Sequence, residues 1–158
     1  MGIQPATTSD LPLLLRFIRE LAEYERLADQ VTATEEGLRT ALFGGEPVAH
    51  AVIGYAGDEP AGFALFFFTF STFVGKPGLY LEDLYVRPEF RRQGLGRQLL
   101  VHLARLAIAR GCGRMEWSVL DWNEPALRVY RSIGAQPMSD WTVQRLTGPA
   151  LETLAATA

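Results

Sequence analysis

Cysteine, histidine and lysine are scarce in this chain of 158 residues, which contains one cysteine, two histidines and one lysine. A single cysteine, Cys112, excludes an internal disulfide. His50 and His102 have no metal-ligand spacing with each other or with the cysteine, so we expect no metal site. No histidine stands near Cys112 in the sequence, which argues against a covalent cysteine mechanism.

Long apolar runs and a large charge of one sign are also missing. The longest apolar run, residues 63–68, is much shorter than a bilayer span, and the N-terminus lacks the basic and apolar regions of a signal peptide. The net charge of −3 argues against a general nucleic-acid surface. The length and the 48% of hydrophobic residues predict one domain over residues 1–158. The short apolar runs, the missing signal-peptide pattern and the small net charge predict a cytoplasmic protein with no membrane or nucleic-acid partner.

Hydrophobic periodicity and turn residues predict an alternation of strands and helices. The predicted strands cover residues 2–6, 48–56, 61–70, 79–86, 114–120 and 141–146. The predicted helices cover residues 11–25, 34–43, 95–110, 124–133 and 149–156. The second and third strands form a hairpin, and the third has too many aromatic residues for a strand with one solvated face. This order predicts a mixed α/β sheet.

The predicted strand over residues 79–86 changes phase in its middle. Leu81 before the break and Leu84 after it would point to opposite faces, with Glu82 and Asp83 between them. A β-bulge at this point would bring the two halves into agreement, and bulges often lie beside active sites. A solvated strand end is the alternative interpretation of the two carboxylates.

The segment 91–96, between that strand and a long helix, has the composition of a phosphate-binding loop. Gly94 and Gly96 allow the backbone to approach a ligand closely, and the new helix leaves its first amide donors unpaired. An ordinary glycine turn is the alternative. A P-loop would need Gly-Lys-Ser/Thr, and a dinucleotide fingerprint would need a third glycine where Leu99 stands. The nearby arginines add positive charge, and the whole segment suits a pyrophosphate.

The spacing Arg91-x-x-Gly94-x-Gly96 resembles the acetyl-CoA pyrophosphate loop of the GNAT N-acetyltransferases. Segments 20–25, 79–83 and 121–125 resemble the spermidine/spermine branch of that family, which includes thialysine acetyltransferases. The resemblance implies a mostly antiparallel central sheet with helices on both faces. It also implies an enzyme that transfers acetyl from acetyl-CoA to a small-molecule amine, and a homodimer in which residues 141–146 are a candidate for the interface.

Particular residues acquire expected roles through the same resemblance. Glu82 would accept the proton of the amine through water, and Tyr130 would protonate the departing thiolate after direct attack on the thioester. The residues expected to hold acetyl-CoA are Leu84, Tyr85, Val86, Arg91, Arg92, Gln93, Gly94, Leu95, Gly96, Arg97, Asn123 and Tyr130. The residues expected to bind the amine are Tyr24, Glu25, Ser71, Phe73, Glu82 and Asp83.

The acceptor amine is the open part of this prediction. Ser71 and Phe73 stand where the polyamine enzymes carry an acid and a tryptophan. This difference favours a small diamine or a lysine-like amino acid over a long polyamine such as spermine. A protein N-terminus or another amine is the alternative acceptor. A noncatalytic acetyl-CoA-binding sensor and a purely structural α/β domain are the alternative classes.

Overall fold

Five strands and five α-helices are present in the computed structural model, which describes residues 1–157. The elements are β1 (Gly2–Pro5), α1 (Leu11–Tyr24), α2 (Glu35–Phe43), β2 (His50–Ala56), β3 (Glu59–Ser71), β4 (Lys76–Val86), α3 (Leu95–Ala109), β5 (Arg114–Trp117), α4 (Glu124–Ser132) and α5 (Gly148–Ala155). They group into two compact units, Met1–Leu120 and Asp121–Ala158, and the expectation of a single domain stays a prediction. No helix in the described part of the chain is long and apolar enough to cross a membrane.

The five predicted helices begin and end within one residue of their predicted bounds. Capping side chains explain this agreement. The Thr34 hydroxyl accepts a hydrogen bond from the Gly37 amide at 3.1 Å and begins α2. The Asn123 side-chain oxygen accepts one from the Ala126 amide at 3.4 Å and begins α4. Each cap satisfies an amide that has no partner within its own helix.

The sheet of the first unit has the strand order β1-β2-β3-β4-β5. The first four strands pair antiparallel, whereas β5 pairs parallel with β4 after the crossover through α3. The aromatic strand β3 is therefore central, as its composition predicts. The prediction of a mixed, mostly antiparallel sheet is confirmed.

Helices pack on both faces of this sheet. On one face, Phe17 of α1 lies in a buried cluster with Ile53 of β2 and Phe63 of β3, and the two phenylalanine rings stack 5.5 Å apart. On the other face, Leu95 of α3 lies so close to Gly54 that an added Cβ would meet it at 2.9 Å. We call these the α1 face and the α3 face. Fully burying one such phenylalanine stabilises the fold by about 1.5–3 kcal/mol.

The predicted strand over residues 141–146 is wrong. This segment has no regular secondary structure, and the side chains of Trp141 and Val143 are 78% and 80% exposed. Its alternating apolar residues match the period of a strand, but a strand also needs a neighbour to bond with. The pattern of a single segment does not show whether that neighbour exists. The expectations of a homodimer and of an interface at this segment stay predictions.

Candidate active site

A β-bulge at Glu82 divides β4. The adjacent β3 residues Leu65 and Phe66 stand opposite Asp83 and Leu81, so Glu82 is an extra residue with no partner on β3. One inserted residue reverses the alternation of all side chains that follow it. The predicted bulge is therefore confirmed, and it explains why the apolar pattern of this strand changes phase.

The parallel pairing of β4 with β5 ends immediately before the bulge. It joins residues 78–81 to residues 114–117, and Leu81 and Trp117 form its last pair. Beyond Glu82, residues 83–86 pair only with β3. Their outer edge has no strand partner in the described part of the sheet. This open edge contains residues 84–86, which are expected to pair with the extended arm of a ligand.

Six consecutive backbone amides, those of residues 92–97, follow β4. None of them has a hydrogen-bond acceptor among the residues that the structure describes. Gly94 is the N-cap residue of α3 and has a left-handed backbone with φ of 87°. Arg92 is also left-handed, with φ of 63°, which costs a non-glycine residue about 1–2 kcal/mol. Unpaired amides at a helix N-terminus, beside arginine side chains, suit a pyrophosphate.

The side chain of Arg91 turns back from this loop toward the α1 face. Its Nε donates a hydrogen bond to the Val86 carbonyl at 2.8 Å. Its guanidinium lies 4.8 Å from the ring centroid of Tyr24 and 5.8 Å from that of Tyr85. Cation–π contacts of this kind contribute about 0.5–1 kcal/mol at exposed sites and more when desolvated. Arg91 thus joins the expected cofactor loop to a residue of the expected amine site.

A bidentate ion pair joins the end of β4 to α1. Nε and Nη2 of Arg87 donate to the two carboxylate oxygens of Glu20 at 3.1 and 2.9 Å. The same guanidinium lies 4.9 Å from the Phe17 ring centroid. The Arg87 and Glu20 side chains are only 19% and 27% exposed. This pair holds the backbone just before the loop against the first helix.

Three carboxylates are close together where α1 ends and the bulge begins. Burial and the negative charges of Glu82 and Glu25 raise the pKa of Asp83 to about 7. Burial also raises the pKa of Glu25, the residue that caps the C-terminus of α1. A bound ammonium group would offset both the burial and the repulsion. The structure therefore brings together three of the expected amine-binding residues, Glu25, Glu82 and Asp83, and the fourth, Tyr24, directly precedes Glu25 at the end of α1.

Ser71 and Phe73 lie apart from the carboxylate cluster, at the hairpin tip between β3 and β4. The Ser71 hydroxyl accepts a hydrogen bond from the Val74 amide at 3.3 Å, and Phe73 is 99% exposed. Leu65, the β3 partner of Asp83, is separated from Ser71 by roughly 20 Å of strand. Within one chain, the structure does not bring these two residues to the carboxylates. Their role in amine binding stays a prediction.

Asn123 and Tyr130 belong to the second unit, where both are half-buried and lie on α4 or at its start. Seven residues of helix separate them by roughly 10 Å along the axis. Their expected roles in binding acetyl-CoA and in protonating the thiolate stay predictions.

The chain is similar to known proteins over most of its length. The model of the acetyltransferase (GNAT) family matches residues 14–135. A thialysine N-epsilon-acetyltransferase of Bos taurus is 40% identical over 164 residues, which cover 97% of this chain and 96% of the relative. An L-ornithine N5-acetyltransferase of Arabidopsis thaliana is 31% identical, covering 96% of this chain and 86% of the relative.

A solved structure is also similar over nearly the whole chain. It is an integron cassette protein of V. cholerae, with a TM-score of 0.81 and 28% identity, covering 99% of this chain and 98% of that one. The fold and these sequence similarities define an acetyltransferase. The chain belongs to the GNAT family, as the loop at residues 91–96 predicts.

Proposed function

We propose that the chain transfers an acetyl group from acetyl-CoA to a primary amine of a small diamine or a lysine-like amino acid. The observation that carries this proposal is that β4 has two different binding environments, one at its bulge and one beyond its end. Beyond its end lie six unpaired amides that suit an anion, and at the bulge lies a carboxylate cluster that suits a cation. The thialysine and ornithine acetyltransferases among the relatives support an amino acid with a side-chain amine.

The residues of the first unit fit the donor well. Residues 92–97 would bind its pyrophosphate through their amides, and Arg92 would add positive charge. The open edge at residues 84–86 would pair with its pantetheine arm. Bound acetyl-CoA supplies the thioester carbonyl that the amine attacks. Asn123 would contact the cofactor in the proposed scheme.

Proton removal is the main chemical task of the site. A primary amine has a pKa of about 10.4, so exposing its lone pair at neutral pH takes roughly 4 to 5 kcal/mol. Glu82 would take this proton through water, because the bulge leaves its backbone outside the β3 ladder and its side chain exposed. Asp83 and Glu25 would attract the ammonium form. Tyr130 would return a proton to the departing thiolate.

The distribution of acids favours a short acceptor. A long polyamine carries cations along its whole length and needs acids spaced to match them. The carboxylates here cluster at the bulge, whereas the hairpin tip over residues 71–75 contains no acid. A diamine or a lysine-like amino acid places its charges within reach of the single cluster.

Thiol release from acetyl-CoA, measured with a panel of amines, tests the proposal. The panel contains 1,3-diaminopropane, ornithine, lysine, thialysine, spermidine, spermine, a peptide with a free N-terminus and an aminoglycoside. We expect the highest kcat/KM for the short diamines or the lysine-like amino acids. Best turnover of the peptide or the aminoglycoside would contradict the proposed acceptor. Calorimetric binding of acetyl-CoA without turnover of any amine would instead indicate a sensor.

A further inference from the structure

A cavity of about 250 Å³ lies on the α3 face, away from the acetyl-transfer site. Both histidines of the chain, His50 and His102, line it together with Arg110 at the end of α3. Arg110 is about 24 Å along the helix from Gly94, at the other end from the unpaired amides. The carboxylate cluster lies beside the C-terminus of α1. The proposed acetyl transfer uses none of these three side chains.

Buried apolar side chains form part of the lining of this cavity. Phe66, Val52 and Leu42 contribute to it and are 3%, 4% and 7% exposed. The His50 ring stacks on the Phe66 ring, with centroids 5.6 Å apart and planes inclined by 29°. A cavity of about 150 Å³ can hold a benzene ring. The larger volume here leaves room for a ring with a substituent.

Positive charge lies at one side of the cavity. The Arg110 guanidinium is held 5.5 Å from the Phe68 ring centroid, and within the described residues it forms no ion pair with a carboxylate. No aspartate or glutamate lines the cavity. The end of α3 carries only about half a negative charge, so the full charge of Arg110 dominates locally. A cavity with this lining is complementary to an anion, although the chain has a net charge of −3.

We propose that this cavity binds a small carboxylate with a flat apolar body. The body lies against Phe66 and Val52, where it is removed from water. The carboxylate pairs with Arg110, whose planar fork of N–H donors matches its two oxygens. A neutral compound of the same shape gains only the apolar contact, and an amine is repelled by the same guanidinium.

Titration of the protein with benzoate tests this site, with nuclear magnetic resonance of the labelled histidine rings as the readout. His50 and His102 are the only histidines and both line the cavity. Because His102 also lines a second pocket with Arg97 and Arg105, the His50 signal is the one that reports on this cavity. We expect the His50 signal to shift saturably, with a Kd of about 1 mM or tighter. Benzyl alcohol should bind about tenfold more weakly or worse, because it lacks the charge.

Two arginine variants test where the carboxylate of benzoate binds. Arg110→Gln should weaken benzoate binding about tenfold, the loss expected for one charge-assisted contact. Arg105→Gln is the matched control, since Arg105 lies on the same helix but does not line the cavity. Equal weakening by both variants, equal binding of benzyl alcohol, or no saturable shift of the His50 signal would overturn the proposal. The outcome is independent of whether the protein turns over any amine.

Discussion

The two halves of β4 have different surroundings although they form one strand. Residues 78–81 have neighbours on both sides, β3 and β5. Residues 83–86 keep only β3, and the chain then enters the loop of unpaired amides. A single extra residue, Glu82, separates the two halves. The interruption of the ladder, more than any one side chain, therefore creates the open backbone and the crowded carboxylates of the candidate site.

The largest expected effect comes from removing the carboxylate at the interruption itself. Glu82→Gln should lower kcat/KM for the best amine by about 10²–10⁴-fold at pH 7, the usual contribution of a general base. The defect should shrink as the pH approaches the amine pKa of about 10.4, because more amine is then already neutral. Steady-state rates across pH measure both effects.

Glu116→Gln provides the control from the paired half of the sheet. Glu116 lies on β5 opposite Tyr80, forms an ion pair with Arg114 at 3.0 Å, and is not among the carboxylates that raise the pKa of Asp83. We expect this variant to keep the rate of the parent. A rate for Glu82→Gln that equals the parent at pH 7, in a folded protein, would remove Glu82 from the proposed mechanism.

A smaller effect should appear in stability, through Asp83. Its pKa is raised from 3.8 to about 7 by burial and by the charges of Glu82 and Glu25. Between these two values the folded state holds a proton that the unfolded state has released. The stabilisation is therefore complete below pH 3.8 and is lost as the pH rises through about 7. Between pH 5 and pH 8, the parent should lose about 3 kcal/mol that Asp83→Asn does not lose.

Urea unfolding of the parent and of Asp83→Asn at pH 5 and pH 8 measures this difference. Asp58→Asn is the control, since Asp58 lies exposed in the hairpin turn between β2 and β3. We expect the control to follow the parent at both pH values. A parent and an Asp83→Asn variant with the same pH dependence would show that Asp83 is ionised in the folded state like an ordinary carboxyl.

Features determined by nearby residues could be predicted from the sequence. The helix bounds follow from local caps, and the bulge follows from a phase change within the strand over residues 79–86. The glycine spacing at residues 91–96 indicates the loop, and the structure shows the unpaired amides there. In each case the physical cause lies within one segment of the chain.

Features determined by distant residues could not be predicted in this way. The contact of Arg91 with Tyr24 joins residues far apart in the chain, so no local pattern records it. The cavity that unites His50 and His102 depends on the packing of α3 against the sheet. The wrong prediction of a strand over residues 141–146 has the same origin. Their alternating apolar pattern is local, but a strand forms only where a second strand is available for pairing. Tertiary packing supplies what these patterns lack.

The Arg87–Glu20 ion pair at the end of β4 allows a direct test of the difference between residues 78–81 and 83–86. Its expected effect on stability is the smallest of the three. Glu20→Gln leaves the Arg87 guanidinium half-buried without its charge partner and should destabilise the fold by about 2 kcal/mol. Glu124→Gln is the matched control, because Glu124 and Arg131 bond at 3.0 Å with side chains 55% and 62% exposed. Exposed pairs contribute about 0.2–1 kcal/mol, so this control should stay close to the parent.

Hydrogen exchange then shows which half of β4 depends on the pair. Arg87 follows β4 directly, so Glu20→Gln should speed exchange of the amides over residues 83–86, which have one strand neighbour. Amides over residues 78–81 should exchange as in the parent, because β3 and β5 flank them. Equal acceleration in both halves would mean that β4 opens as one unit and that the bulge does not divide its stability. Selective acceleration would mean that α1, through Glu20, holds residues 83–86 in place.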